Sequence, residues 1–330
     1  MNNGAHDDET MLMKTGKQEF DRTFASHVLE GLSGQVKSLP SRYFYDARGD
    51  RLFQAIMASP EYYLTDCELE IFKTQGDEIA RALMMDRPCE LIELGSGDGL
   101  KTSLLLDALH GHHQDWVYRP VDISDNSLEL LEQRLVPDRP WLDFQAIHSN
   151  YMDLLRKFKP GGVRRVFMFL GSNLGNFKDK QAIALLRLIR GAMAPGDAFL
   201  VGLDLKKDPQ VVRAAYNDAG GHTRDFNLNL LARINRELGG NFDLDSFEHM
   251  PVYDPASGTA QSNLRSKVRQ TVRVAVLDRD FQFQKDEDIH TEVSQKYDEQ
   301  LIGELTAASG FVVEQSFVDS RNYFTDQVWV

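Results

Sequence analysis

A turn with three glycines is the stretch of this chain best suited to bind a ligand. It reads Glu93-Leu94-Gly95-Ser96-Gly97-Asp98-Gly99-Leu100-Lys101-Thr102 and separates an apolar run from a helix-like run. Glycines let a ligand approach the main chain closely, and the start of the helix offers free N–H donors. Asp122 follows the next apolar run, where a carboxylate can accept hydrogen bonds from both hydroxyls of a ribose. These features predict a nucleotide-type cleft.

The spacing of the turn favours one cofactor over another. A dinucleotide-binding turn needs a small residue at its third glycine position, and counted from Gly95 that position holds Leu100. The run fits better the acidic-x-G-x-G-x-G turn of methyltransferases that use S-adenosylmethionine. A tight turn without a ligand is the alternative. Because Asp122 lies at the expected distance, the sequence predicts S-adenosylmethionine as cofactor.

Two further stretches carry side chains that could position a substrate. Residues 169–177 offer the carbonyl of Gly171 and the amide of Asn176, although a turn with an Asn helix cap fits equally well. Glu292 and Ser294 alternate along the chain, so in a strand they share one face and could hold a nitrogen heterocycle. A solvated edge strand is the alternative for that pair.

Composition excludes several classes of protein. The formal net charge of −13 over 330 residues argues against nucleic acid and anionic membranes as partners, since both need a basic face. Cys67 and Cys89 are too few for a disulfide scaffold, and no metal-ligand spacing is present. The histidines at positions 110, 112 and 113 fit a solvated loop better than a metal site. No G-x-S-x-G nucleophile motif occurs, so nothing supports a hydrolase. No signal region or 18-residue apolar span occurs either, and we therefore expect a cytoplasmic protein.

Strand-like and helix-like runs alternate through the middle of the chain. The predicted strands are 89–94, 116–123, 144–148, 165–170 and 198–203, and the predicted helices between them are 101–109, 127–134, 152–158 and 180–193. This order predicts a doubly wound, Rossmann-like α/β sheet. A helix at 300–308 and strands at 311–318 and 323–330 complete it. Thr65 and Glu68 form a predicted capping box for a helix from residue 66 to 83.

The pattern changes after residue 205. Helices are predicted over 206–240, and strands and turns over 241–296, including 264–277 and 281–284. We therefore predict a methyltransferase domain of residues 71–205 and 297–330. A second, inserted α+β substrate-binding domain would comprise residues 20–70 and 206–296. Residues 1–19 are polar and are predicted to form a flexible or weakly helical N-terminus.

Several longer motifs, taken in order, resemble the histidine Nα-methyltransferases of ergothioneine biosynthesis over residues 38–330. They include Phe44-Tyr45-Asp46, Pro60-Glu61-Tyr62-Tyr63, Glu93-Leu94-Gly95-Ser96-Gly97, Gly171-Ser172 with Gly175-Asn176, Ala215-Tyr216-Asn217-Asp218, Phe242-Asp243-Leu244-Asp245 and Thr291-Glu292-Val293-Ser294. The resemblance implies methylation of the α-amine of L-histidine by S-adenosylmethionine. It further implies three transfers, giving the trimethylated betaine hercynine.

The resemblance also implies roles for individual residues. The methyl donor would bind Gly95, Ser96, Gly97 and Lys101, with Asp122 on its ribose and Asn150 and Tyr151 on its adenine side. The amino-acid part of the substrate would bind Tyr62, Asn176 and Tyr216, the α-amine would lie near Tyr45 and Gly171, and the imidazole would bind Glu292 and Ser294.

The chain departs from the family pattern at the imidazole. A methionine is expected beside the ring, and the stretch Leu264-Arg265-Ser266-Lys267-Val268 puts Ser266 at that position. A smaller, more polar wall leaves open a different substrate, such as tryptophan or a modified histidine. A protein that binds S-adenosylmethionine without catalysis is the remaining alternative. We expect a monomer that acts on a small amino acid.

Overall fold

The computed structural model describes residues 12–15, 18–83, 88–97, 99–113 and 115–330. The chain divides into two compact units. The first unit comprises residues up to Tyr62 together with Asp208–Asp254 and Ala260–Val293. The second unit comprises Tyr63–Lys207, Pro255–Thr259 and Ser294–Val330.

The structure contains helices and strands in both units. The strands are β1 (Leu12–Thr15), β2 (Gln18–Asp21), β3 (Lys37–Ser38), β4 (Cys89–Leu94), β5 (Trp116–Asp122), β6 (Ile147–His148), β7 (Arg164–Phe169), β8 (Ala198–Asp204), β9 (Phe247–Asp254), β10 (Thr259–Ser266), β11 (Gln270–Val274), β12 (Arg279–Phe283), β13 (Asp288–Gln295), β14 (Val313–Val318) and β15 (Phe324–Trp329). The helices are α1 (Arg22–Ser33), α2 (Ala47–Met57), α3 (Tyr63–Leu83), α4 (Leu100–His112), α5 (Asp125–Leu135), α6 (Tyr151–Lys157), α7 (Asp179–Ala192), α8 (Pro209–Ala215), α9 (His222–Leu238) and α10 (Glu299–Ser309).

The second unit is built on a seven-stranded sheet with the order β14-β15-β8-β7-β4-β5-β6. Neighbours from β8 to β6 are parallel, whereas β15 pairs antiparallel with both β14 and β8. Every residue of β8 is buried, as expected for a central strand covered on both faces. The predicted doubly wound α/β sheet is confirmed, and its strands and helices lie within three residues of the predicted ends.

Three local predictions differ from the structure. Helix α3 begins at Tyr63, so Thr65 lies inside it and the predicted capping box with Glu68 is wrong. The same helix places residues 63–70 in the second unit, whereas the sequence assigned them to the substrate-binding domain. In the predicted flexible N-terminus, β1 and β2 pair antiparallel, and residues 1–11, 16 and 17 lie outside the described residues.

The first unit has a four-stranded sheet with the order β3-β13-β10-β9. The predicted strand over 264–277 is divided, because β10 ends at Ser266 and β11 begins at Gln270. Strand β11 pairs antiparallel with β12, and Asp278 at the turn between them has a φ of 48°. The predicted helices over 206–240 are confirmed as α8 and α9.

The turn that carries Tyr45 is tightly packed inside the first unit. The side chain of Asp46 accepts hydrogen bonds from the backbone N–H groups of Arg48 (3.1 Å) and Gly49 (2.7 Å), which caps α2. A Cβ at Gly49 would lie 1.8 Å from the carbonyl oxygen of Phe44, so this turn requires glycine.

We predict that Gly49→Ala destabilises the protein by about 1–3 kcal/mol, because the added methyl group must displace backbone. Urea denaturation followed by circular dichroism measures the change. Gly303→Ala is the matched control, since a Cβ at that helical position meets nothing within 4 Å. Equal denaturation midpoints for Gly49→Ala and the wild type would contradict this packing.

Candidate functional site

The glycine turn after β4 has an open main chain. Gly95, Gly97 and Gly99 have φ angles of 74°, 56° and 68°, which glycine adopts readily. The N–H of Gly95 donates to the carbonyl of Val121 at 2.9 Å, which ties the turn to β5. A Cβ at Gly97 would meet nothing within 4 Å. The space beside Gly97 therefore suits a ligand that contacts backbone.

A buried carboxylate fixes the base of this turn. Glu93 accepts hydrogen bonds from the Thr102 hydroxyl at 2.8 Å and from the Tyr118 hydroxyl. Burial raises the pKa of Glu93 to about 7, and the two hydroxyl donors oppose that shift. Because Glu93, Thr102 and Tyr118 belong to β4, α4 and β5, these bonds hold the three elements around the turn.

The remaining predicted donor residues follow the carboxyl ends of the parallel strands. Asp122 ends β5, and its Oδ1 accepts from the N–H of Ser124 at 2.9 Å. Burial raises the pKa of Asp122. Asn150 is the N-cap of α6, with Oδ1 accepting from the N–H of Met152, and the Tyr151 ring lies 5.8 Å from that of Phe169. This edge of a parallel sheet is where ligands of such folds bind.

Glu68 joins two of the predicted site residues. One carboxylate oxygen forms an ion pair with the ammonium of Lys101, and the other accepts the backbone N–H of Gly171 at 2.7 Å. Gly171 has a φ of 71°, and its Cβ, if present, would lie 3.0 Å from the Lys101 ammonium. Glu68 is fully buried. One carboxylate thus positions both the lysine and the glycine turn after β7.

Asp326 lies beside Glu68 without exposed surface. A Cβ at Gly202 would lie 2.6 Å from Oε1 of Glu68 and 3.1 Å from Oδ1 of Asp326, so the two carboxyl groups converge over this glycine. Burial, together with the charge of Glu68, raises the pKa of Asp326 well above its ordinary value. The raised pKa favours the neutral form of Asp326, whereas Glu68 is the carboxylate that forms the ion pair with Lys101.

Asn176 and Ser294 also belong to the second unit. Asn176 is exposed and ends a 3-10 turn that starts at Asn173, and the N-cap of α7 is Lys178. The alternative role for Asn176 as a helix cap is therefore wrong. Ser294 is 4% exposed, and its Oγ accepts a hydrogen bond from the ammonium of Lys296 at 2.8 Å.

In the first unit three predicted residues lie close enough to interact electrostatically. The pKa of Tyr45 is raised by burial and by the Glu292 carboxylate, with further effects from Asp50 and Tyr216. The residue as a whole is 46% exposed, so it can be reached by a ligand. The Tyr45 ring meets Phe53 edge-on at 5.6 Å, and Phe53 meets Tyr62 edge-on at 6.3 Å. The structure thus brings Tyr45, Tyr216 and Glu292 together, with Tyr62 linked through Phe53.

The structure corrects the predicted place of Ser266. The hydroxyl of Ser266 donates to the carbonyl of Val268 at 2.8 Å and accepts from Gln270 at 2.7 Å, within the turn after β10. Ser262 instead faces Glu292, with its hydroxyl 3.4 Å from Oε2. Both serines lie on the same face of β10, and four residues of strand separate them by roughly 13 Å. Ser262 is the residue that the sequence reasoning missed, because the match to the family pattern put Ser266 beside the ring and carries no information on which residue faces Glu292.

The histidines that invited a metal interpretation have other partners. The ring of His110 stacks on Trp141 at 3.9 Å, His112 pairs with Asp77, and His113 bonds the carbonyl of Ala80. Within the described ranges no group of three His, Cys, Asp or Glu side chains could hold a metal ion. No helix in the same part of the chain is long and apolar enough to cross a membrane.

Comparison with known proteins yields one family. The family described as histidine-specific methyltransferase, SAM-dependent, matches residues 24–330. The histidine N-alpha-methyltransferase of Mycobacterium tuberculosis is 39% identical over 283 residues, which cover 86% of this chain and 87% of that protein. Ergothioneine biosynthesis protein 1 of Schizosaccharomyces pombe is 34% identical over 71% of this chain and 31% of that protein. The 4-dimethylallyltryptophan N-methyltransferase of Claviceps fusiformis is 28% identical over 87% of this chain and 86% of that protein.

We predict that Glu68→Gln weakens binding of S-adenosylhomocysteine about tenfold, which corresponds to about 1.4 kcal/mol. The amide removes the charge that holds Lys101, the residue that the resemblance assigns to the donor. Asp326→Asn is the matched control and should change the affinity less than about twofold, because an amide resembles a protonated carboxyl group. Isothermal titration calorimetry measures both. A larger loss for Asp326→Asn than for Glu68→Gln would contradict the assigned charges.

Proposed function

Because this chain belongs to the histidine-specific, S-adenosylmethionine-dependent methyltransferases, we propose that it methylates the α-amine of L-histidine and continues to the trimethylated betaine hercynine. The substrate is a small amino acid, and S-adenosylmethionine is the cofactor. We retain the predictions of a monomeric, cytoplasmic enzyme as part of this proposal.

The second unit has a backbone and a donor set that fit the cofactor. The open glycine turn at Gly95, Ser96 and Gly97 would accommodate its amino-acid part, for which Lys101 offers an ammonium group. Asp122 would accept from the ribose, and Asn150 and Tyr151 would lie on the adenine side. When bound, S-adenosylmethionine supplies a methyl group on a positively charged sulfur. The protein therefore has to orient a nucleophile and exclude water.

The nucleophile is an amine, which must lose its proton before it can attack. Burial and Glu292 raise the pKa of Tyr45, so its phenol stays protonated at neutral pH and cannot serve as the base. We assign Tyr45 a positioning contact in which its oxygen accepts an N–H of the α-amine. Glu68 accepts the backbone N–H of Gly171. Gly171 would lie near the same amine, on the side of the methyl donor.

The remaining predicted residues would contact the other parts of the substrate. Tyr62, Tyr216 and Asn176 would hold the α-carboxylate and the amino-acid backbone. Glu292 would accept an imidazole N–H, and Ser294, two residues along β13, would bind the ring as well. The observation that carries this proposal is the convergence of Tyr45, Tyr216 and Glu292 in the first unit. An anion within electrostatic range of these hydroxyl groups supports a site for an amino acid that carries a nitrogen heterocycle.

We predict that Glu292→Ala weakens histidine binding about 30- to 150-fold and leaves S-adenosylhomocysteine binding unchanged. Losing one partner of a charge-assisted hydrogen bond costs on the order of 2–3 kcal/mol. Calorimetric titration of histidine into the enzyme saturated with S-adenosylhomocysteine measures the effect. Glu248→Ala, an exposed residue of β9 in the same sheet, is the control. Equal losses of both ligands in Glu292→Ala would argue against a contact with the imidazole.

A different amino-acid substrate is the second candidate. Ser262 puts a small hydroxyl beside Glu292, and a relative of this chain is named as an N-methyltransferase for a tryptophan derivative. A serine is smaller than the methionine expected beside the imidazole, so it leaves room for a larger or modified ring.

Mass spectrometry of products distinguishes the candidates. The enzyme is incubated with S-adenosylmethionine and, separately, with histidine, tryptophan and a ring-thiolated histidine. We predict that histidine reacts fastest and gains three methyl groups. Faster reaction of tryptophan or thiolated histidine would show that this amino acid, and not histidine, is the preferred substrate. Donor binding with no turnover on any amino acid would indicate a non-catalytic protein.

A further inference from the structure

Lys296 is a fully buried lysine that forms a hydrogen bond with Ser294, a residue predicted to bind the substrate. Its ammonium donates to Oγ of Ser294 at 2.8 Å and pairs with Oδ2 of Asp204 at 2.7 Å. Asp204 and Lys296 have no exposed side-chain surface. An ammonium group has only donors, so the oxygen of Ser294 must accept in this contact.

Asp204 has more than one cationic partner. It also pairs with the ammonium of Lys207 and accepts from the hydroxyl of Tyr63 at 2.8 Å. Burial lowers the pKa of Lys207 to about 8, and the charge of Lys296 contributes to that shift. Near pH 7, the ammonium groups of Lys207 and Lys296 therefore share the carboxylate of Asp204, with Lys296 next to Ser294. The other titratable groups of this surrounding include Glu292 on the strand that carries Ser294 and a set around Lys207 and Tyr297, which comprises Tyr63, Cys67, Asp179, Asp204 and Tyr323.

We infer that Lys296 sets the direction of the Ser294 hydrogen bond, so that Ser294 donates to an unprotonated ring nitrogen and the site selects neutral imidazole over imidazolium. This inference rests on the proposed function. Lys296 is a positioning residue, because it acts through the serine and does not itself touch the substrate.

The chemistry of the two partners supports this assignment. A serine hydroxyl has one proton, and a bond from Lys296 to its oxygen turns that proton away from the ammonium. Neutral imidazole has one N–H donor and one acceptor nitrogen, which match a carboxylate at Glu292 and a donating hydroxyl at Ser294. Glu292 alone would favour the imidazolium cation. The ammonium of Lys296, which is bonded to Ser294, opposes a second cation at short range, and this offsets that preference.

A double-mutant cycle separates this role from a purely structural one. The variants are Lys296→Met, Ser294→Ala and the double substitution, and the readout is the histidine Kd at pH 7 with saturating S-adenosylhomocysteine. We expect each single variant to weaken histidine about tenfold, and Lys296→Met to add less than twofold to Ser294→Ala. Equal losses from Lys296→Met in both backgrounds would overturn the inference. An unchanged Kd for S-adenosylhomocysteine verifies that each variant is folded.

The wild-type enzyme alone provides a second test, which does not depend on the folding of a variant. Between pH 7 and pH 5.5 we expect histidine affinity to fall about eightfold, as an imidazole of ordinary pKa near 6.5 becomes protonated. A 1,2,4-triazole analogue of histidine, whose ring stays neutral in this range, should bind with constant affinity. A flat pH profile for histidine would overturn the inference and leave the proposed function intact. Failure of histidine to bind at any pH would overturn both.

Discussion

The carboxylate of Asp204 is the interaction on which the second unit most depends. It ends β8 without exposure to solvent, and an isolated buried anion would cost several kcal/mol. Its partners are Tyr63 at the start of α3, Lys207 where the chain leaves the second unit, and Lys296 where the chain has returned to it. One charge therefore joins the end of β8 to two segments that are far from it in the sequence. The requirement to satisfy that charge also determines the surroundings of Ser294.

Two further buried carboxylates arrange the side that would bind the methyl donor. Glu93 holds β4, α4 and β5 around the glycine turn, and Glu68 holds Lys101 and the turn at Gly171. In each case an acidic group below the surface fixes the backbone or ammonium that a ligand would meet. The residues proposed to contact ligands therefore depend on residues that contact none.

Much of the fold could be predicted because the signals were local. Apolar runs between turns identified the strands of the second unit, and the predicted run over 89–94 coincides with β4. The capping box at Thr65 failed because its pattern is equally local, whereas the partners of Glu68 are distant. Lys101 lies 33 residues away, and Gly171 lies 103 residues away. No pattern within one helix can report such a contact.

The substrate residues show a similar limit. The alternation of Glu292 and Ser294 suggested that both lie on one face of a strand. The resemblance to a known family supplied their roles. The choice between Ser262 and Ser266 depended on which part of β10 faces Glu292, and that is a matter of strand register. Lys296 has no sequence signature, because a lysine after a strand usually reads as a solvated residue.

The most direct test of the account is a crystal structure of the enzyme with S-adenosylhomocysteine and L-histidine. We predict electron density for an imidazole with one ring nitrogen within hydrogen-bond distance of the Glu292 carboxylate and the other near the Ser294 hydroxyl. Density that places the ring away from Glu292, in an enzyme with the donor site filled, would contradict the central claim.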